Sequence, residues 1–213
     1  PNEDMAPKVG HAHGFVLPSM PRTAKTMRTV YLGLGTNLDN RDEWLDRGLR
    51  LLEEALVERR AIESMTLSAR YETEAWGMAE DTPAFLNMVV AIDTALPLPD
   101  LLRLGLDIEQ ACGRIRNPDA QGYMNRTLDV DVLCTSDAER WSATADLDLD
   151  VPHPRMMSRR FVLQPLVDIA PELQVEGRSI QAALDQCPIA PAVVLRDSVS
   201  HEQPETDVRE LGH

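Results

Sequence analysis

"NRTLDVDVLC" (residues 125–134) alternates in a way that decides how the chain folds. In an extended backbone successive side chains point to opposite faces, so Leu128, Val130 and Val132 fall on one side and Asp129 and Asp131 on the other. The two carboxylates then share a face with α-carbons roughly 6.7 Å apart. Like charges that close are unfavourable unless something positive sits between them. A solvated strand face is the plain reading of a bare D-x-D. An otherwise apolar strand preceded at once by Arg126 points instead to a metal–nucleotide site, because Mg2+ is held by one or two carboxylates and shares the rest of its shell with phosphates.

Outward from this strand the pattern is regular. "RTVYLGLGTN" (28–37) is a short apolar strand whose glycines read as a tight turn. A tight turn explains them better than a dinucleotide fingerprint, since Leu38 stands in place of the third glycine and the following strands are not in βαβαβ order. "RDEWLDRGLRLLEEAL" (41–56) puts Leu45, Leu49, Leu52 and Leu56 on one helical stripe, with Asn40 as its cap. "AIESMTLSARYET" (61–73) reads as a strand, 74–84 as a loop and "FLNMVVAIDTAL" (85–96) as a second strand. "PDLLRLGLDIEQAC" (99–112) is a helix with Leu101, Leu104, Ile108 and Ala111 on one face. The order β-α-β-β-α-β predicts an α+β, ferredoxin-like split βαβ sandwich, with helices on one sheet face and the other left for function. Residues 147–173 and 179–187 add a Pro-bounded turn and short helices as C-terminal additions. Residues 1–27 read as a flexible leader, 28–188 as the domain and 189–213 as an acidic, loosely held tail, with Met27 a candidate start.

The bulk numbers remove whole classes of function. A net charge of −14 argues against a general nucleic-acid binder. No apolar run reaches membrane-span length and no signal-peptide h-region opens the chain. Three cysteines without a C-x-x-C suit a reducing cytoplasm. The only lysines are Lys8 and Lys25, so the body has neither a P-loop lysine nor a Schiff-base lysine. Phosphate must be met there by arginine, backbone amides or metal. Arg114, Arg116, Arg126, Arg155, Arg159 and Arg160 are the candidates, although surface ion pairing accounts for about half of such residues in an acidic chain. Of five histidines only His153, in "VPHPR", lies inside, which argues against a multi-histidine zinc site. Phe85 and Asn87 share a strand face, a pairing that can stack on a flat heterocycle and hydrogen-bond its edge. Core filling is the plain alternative for Phe85 and Phe161, as solvation is for Glu109.

Together "YLGLGTNLDNR", "SARYETEAWG", "FLNMVVAIDT", "IEQACGRIR", "RTLDVDVL" and "VPHPRMMSRRFVLQPLVDIAPEL" resemble the 6-hydroxymethyl-7,8-dihydropterin pyrophosphokinases of folate biosynthesis, over roughly residues 29–185. The resemblance implies a cytoplasmic, monomeric, Mg-dependent enzyme that moves pyrophosphate from ATP to the pterin hydroxymethyl group and releases AMP. It implies that Asp129 and Asp131 bind two Mg2+ ions and that Arg114 and Arg126 serve the phosphates. Glu109, Arg116, Val132, His153 and Arg159 are then expected at ATP. Thr73, Trp76, Gly77, Phe85, Asn87 and Phe161 are expected around the pterin. At "GYMN" (122–125) the chain departs from the Arg-Trp-Gly-Pro common in the family, and Tyr123 takes the place of the tryptophan as a lid. Asp148 and Asp150 stand where some members carry a basic residue. Two rival readings are a palm-like nucleotidyltransferase, which would release pyrophosphate, and a non-catalytic ferredoxin-like pterin- or nucleotide-binding module.

Overall fold

In the computed structural model, which describes residues 27–75, 81–115, 124–144 and 147–196, Arg28–Thr36 forms strand β1 at the heart of a six-stranded sheet. On one side β1 pairs antiparallel with β4 (Phe85–Thr94), and on the other with β5 (Asp129–Thr135). The expected strand over 61–73 is two strands, β2 (Ile62–Leu67) and β3 (Tyr71–Thr73), both paired to β4. The pairing steps from Leu67↔Val90 to Tyr71↔Asn87, so residues 68–70 hold one more residue than the strand opposite. Ser68 anchors this bulge, its amide on the Val89 carbonyl at 3.0 Å and its hydroxyl accepting from the Val89 amide at 2.9 Å.

Helix α1 (Arg41–Glu58) buries Leu45, Leu49, Leu52 and Leu56 against one sheet face, as the leucine stripe requires. Each fully buried leucine contributes about 2 kcal/mol relative to exposure. Asn40 holds the N-cap position, but its side chain makes no capping bond; its carbonyl accepts from the Trp44 amide at 3.2 Å instead. Helix α2 (Leu98–Ala111) covers the same face with Leu101, Leu104 and Ile108. Each helix approaches the 128–130 segment through a glycine. A β-carbon on Gly48 would sit 2.6 Å from Leu128 Cδ2, and one on Gly105 would sit 3.2 Å from Val130 Cγ1.

The second sheet face is not left open along its length. Helices α3 (Arg160–Ile169) and α4 (Ile180–Gln186) pack Val162, Leu163, Leu166, Ile180 and Leu184 on Tyr31, Val89, Ala91 and Leu133, making a second core. A two-residue hairpin pair, β6 (Gln174–Val175) with β7 (Arg178–Ser179), links these helices. The end of this face that carries Gly33, Gly35, Asn87, Asp129 and Asp131 lies beyond their packing residues and opens on a cavity. Within the segment expected as a loose tail, Val193–Leu195 forms β8 and pairs with β3 at the sheet edge. No helix among the described residues is long and apolar enough to cross a membrane.

Candidate active site

The uncovered end of the sheet is floored by glycine. Gly33 and Gly35 belong to β1 itself rather than to a turn, and they pair directly with Asp131 and Asp129 of β5, while Gly35 also faces Asn87 of β4. A β-carbon on Gly35 would come within 3.0 Å of Asn87 Oδ1. Without side chains, these two positions leave room for a cavity of about 450 Å3, walled by Thr73, Phe85, Asn87, Phe161 and His153 among others. The cavity continues round the outer edge of β5 to Leu102 and Leu106 of α2, Leu147 and Asp148.

Asp129 and Asp131 do project to one face, as their spacing requires, and both line the cavity. Asp129 is held by arginines: Arg126 Nη1 donates to Oδ2 at 2.6 Å and Arg114 Nη1 donates to Oδ1. Arg114 also donates to Glu109 Oε1 at 2.6 Å. Glu109 is 2% exposed and accepts from the Val130 amide at 2.9 Å, so it is an interior brace of Arg114 and β5 rather than a solvated helix residue. Asp131 carries no hydrogen bond or ion pair among the described residues. Burial, and then the neighbouring Asp129 charge, push its carboxyl up to about 6, partly offset by Arg159 and Arg126. Among the described residues no cluster of three or more His, Cys, Asp or Glu is placed to hold a metal. Two carboxylates, one in want of a cation, fit a hard ion that draws its remaining ligands from phosphate and water. Arg126 Nε, buried without a hydrogen-bond partner among the described residues, suits a further anionic oxygen.

His153 lines the same cavity, its backbone amide fixed on the Leu133 carbonyl at 2.7 Å. Its Nδ1 accepts from the Arg155 amide at 3.1 Å, which leaves Nε2 to carry the proton. Burial, followed by Arg159 and Arg155, lowers its pKa, so the ring is a neutral donor near pH 7. On the opposite side, Asn87 Nδ2 donates to Thr73 Oγ1 at 3.3 Å, and both residues are buried. The guanidinium carbon of Arg126 stands 5.2 Å from the Phe85 ring centre, and that of Arg159 stands 5.5 Å from the Phe161 ring. One aromatic–arginine pair thus stands at each flank.

Of the expected site residues, Thr73, Phe85, Asn87, Glu109, Arg114, Arg126, Asp129, Asp131, His153, Arg159 and Phe161 come together around this one cavity. Val132 does not line it. Strand alternation turns its side chain into the helix-facing core, so it can serve the site only through its backbone. Trp76, Gly77, Arg116 and Tyr123 lie outside the described residues.

The sequence reading missed two groups. Gly33 and Gly35 read as a turn from sequence, although a period-two G-x-G in an apolar strand is itself a signal of close approach. Asn37 carries no such signal. It is 1% exposed; its Oδ1 accepts from the Arg126 amide at 2.8 Å, while its Nδ2 donates to Asn125 Oδ1 at 2.8 Å and to the Pro83 carbonyl at 3.3 Å. No sequence period marks such a tie.

Residues 31–171 match the family model described as 7,8-dihydro-6-hydroxymethylpterin-pyrophosphokinase (HPPK). A 2-amino-4-hydroxy-6-hydroxymethyldihydropteridine pyrophosphokinase from Porphyromonas gingivalis is 38% identical over 71% of this chain and 97% of its own length. Proteins of the same name from Methylorubrum extorquens and Bacillus subtilis are 37% and 36% identical, over 74% and 71% of this chain and 92% and 84% of theirs. Among solved structures, an HPPK-DHPS in complex with substrates superposes with a TM-score of 0.53 at 16% identity, covering 75% of this chain and 43% of that one. A Plasmodium falciparum HPPK-DHPS triple mutant gives 0.55 at 15% identity, over 75% and 43%. The chain therefore spans less than half the length of those two proteins, and the likeness to them is one of fold.

Proposed function

The chain belongs to the 7,8-dihydro-6-hydroxymethylpterin-pyrophosphokinase family, and on that premise we propose how its residues divide the work of the reaction. The protein transfers pyrophosphate from ATP to the hydroxymethyl group of 6-hydroxymethyl-7,8-dihydropterin, a step of folate biosynthesis. The hydroxymethyl oxygen bonds to the β-phosphorus, the α–β bridging bond breaks, the hydroxyl proton is released and AMP is left. We read the strand order β5-β1-β4-β3, with β2 also on β4, as a split βαβ sheet carrying two extra helices and an edge strand.

Asp129 and Asp131 are the metal-binding pair in this reading. They would hold two Mg2+ ions, which would supply charge neutralisation at the transferred phosphates. Arg114 and Arg126 are parked on Asp129 before substrates bind, and pass to phosphate oxygens when the nucleotide is seated. There they stabilise charge that grows at the transferred group. Glu109 keeps Arg114 within reach during the exchange. His153 offers Nε2–H to a phosphate, and Arg159 lies beside it. Leu102, Leu106, Leu147 and the Val132 backbone form the base-binding end round the edge of β5. Asn87 and Thr73 read the edge of the pterin while Phe85 and Phe161 cover its faces.

The observation that carries this reading is the gathering of paired carboxylates, two arginines and a polar–aromatic slot around one glycine floor. Membership of the family leaves the nucleotidyltransferase and binding-module alternatives without support. Product analysis with ATP and 6-hydroxymethyl-7,8-dihydropterin tests it. AMP should appear in step with pyrophosphorylated pterin, and chelation of Mg2+ by EDTA should stop both. ADP or free pyrophosphate as the pterin-dependent product, or turnover indifferent to EDTA, would refute it.

A further inference from the structure

Beyond residue 171, where the family match ends, the chain returns to the site. After α4 it runs through Pro188 and Pro191 into β8, whose register on β3 is Tyr71↔Leu195, Glu72↔Val194 and Thr73↔Val193. Pro191 stands two residues before the Thr73–Val193 pair and lines the cavity in company with Thr73, Glu74, Phe85, Asn87 and Phe161.

This strap is pinned at both ends. At its start, Arg160 Nε donates to the Pro188 carbonyl at 3.1 Å, and Arg160 Nη2 donates to the carbonyls of Leu184 at 3.1 Å and Cys187 at 3.2 Å. Arg160 lies between Arg159 and Phe161 in sequence, so the residue that opens α3 also fastens the strap beside two cavity residues. At its end, the Arg196 amide donates to the Arg70 carbonyl at 2.9 Å, while its guanidinium meets Asp42 at 3.0 Å and Glu72 at 3.2 Å. Glu72 is gripped in turn by Arg41 at 2.6 Å. Pro191 is thereby held over the end of β3 that presents Thr73.

We propose that Pro191 is a pterin-contacting wall of the substrate slot and that Arg196 is the positioning residue that holds it there. The inference rests on the assignment of Thr73, Phe85, Asn87 and Phe161 to the pterin. A proline ring is a rigid apolar plate with no rotamers to lose, suited to closing the side of a slot that binds a flat heterocycle. Arg196 touches no substrate; it acts through β8.

The test is steady-state kinetics on the full chain with each substrate varied in turn, using Pro191→Ala, Arg196→Ala, Arg196→Lys and, as reference, Phe85→Ala. Pro191→Ala and Arg196→Ala should each raise KM for the dihydropterin roughly ten-fold while KM for ATP stays in place. Arg196→Lys, which keeps a cation near Asp42 and Glu72, should recover part of the loss. If Phe85→Ala raises the pterin KM but neither Pro191→Ala nor Arg196→Ala does, the strap has no part in binding and the inference falls alone. If Phe85→Ala also leaves it unchanged, the slot assignment fails and takes the inference with it. Equal rises in both KM values would make the strap a general structural brace and overturn the proposal. Pro191→Ala breaks no hydrogen bond of the strap, so it decides the matter even if Arg196→Ala folds poorly.

Discussion

Asn37→Ala removes the knot that ties the end of β1 to the loop carrying Arg126. Three groups lose a partner: the Arg126 amide, Asn125 Oδ1 and the Pro83 carbonyl. At about 1 kcal/mol for each ordinary hydrogen bond, and more where a buried group is stranded, the loss is about 2–4 kcal/mol. For a chain of this length each kcal/mol moves the midpoint by about 2–4 °C, so Tm should fall by about 4–16 °C. The Asn37 backbone amide still donates to the Arg126 carbonyl at 3.1 Å, which is why loosening rather than collapse is expected. Arg126 then points less well, and small misplacements of a charged group aimed at a reacting phosphate are costly, so kcat should fall by about ten-fold even below the shifted Tm. Asn37→Asp keeps the acceptor for the Arg126 amide but loses both donations, so it should fall between wild type and Asn37→Ala. Differential scanning calorimetry with initial rates at saturating substrates reads both effects. An Asn37→Ala protein that melts within a degree of wild type and turns over at the same rate would show that the knot positions nothing.

Asp131→Ala should lower kcat by roughly a hundredfold or more, because transition-state stabilisation is lost. Its Tm in metal-free buffer should be unchanged or higher, since removing a carboxylate crowded by Asp129 and by burial relieves the fold; a parallel drop in Tm and rate would assign it a structural role instead. Cys134, its thiol pushed up to about 12 by burial, and the fully buried Cys112 should resist thiol reagents at pH 8 until the protein is unfolded, and prompt labelling of either would contradict their placement. Tyr31 and Tyr71 are raised above their ordinary value of 10.0, chiefly by burial. A raised folded pKa favours the protonated form, so their contribution is whole below pH 10 and lost as pH climbs past it. Urea midpoints should therefore fall between pH 9 and 11, more steeply in wild type than in Tyr71→Phe; identical slopes would show that Tyr71 adds nothing.

What could be read in advance follows from which interactions are periodic. The leucine stripe of α1 and the D-x-D alternation of β5 each repeat with the period of their element, so both helix face and carboxylate face were legible. Phe85 and Asn87 followed by the same alternation. Interactions set by a single residue across the sheet were not. Gly33 and Gly35 looked like a turn because glycine permits one, and only the pairing with Asp131 and Asp129 reveals why a side chain is unwelcome there. The bulge at 68–70 depends on Ser68 meeting Val89, twenty-one residues away. Helices α3 and α4 bear apolar faces, yet nothing in their own pattern says which sheet face they will cover. The three residues of β8 are too few to show any period, and their place is decided by Arg196 reaching Asp42 and Glu72.

The proposed task of Asp129 and Asp131 is to hold the metal against the phosphates. Anomalous diffraction from crystals grown with Mn2+, the dihydropterin and an ATP analogue whose α–β bridge cannot be cleaved tests it most directly. Manganese should lie in contact with oxygens of both carboxylates and of the nucleotide phosphates, with Arg114 and Arg126 moved from Asp129 onto phosphate oxygens. Manganese that touches neither carboxylate, with both arginines still on Asp129, would refute that role.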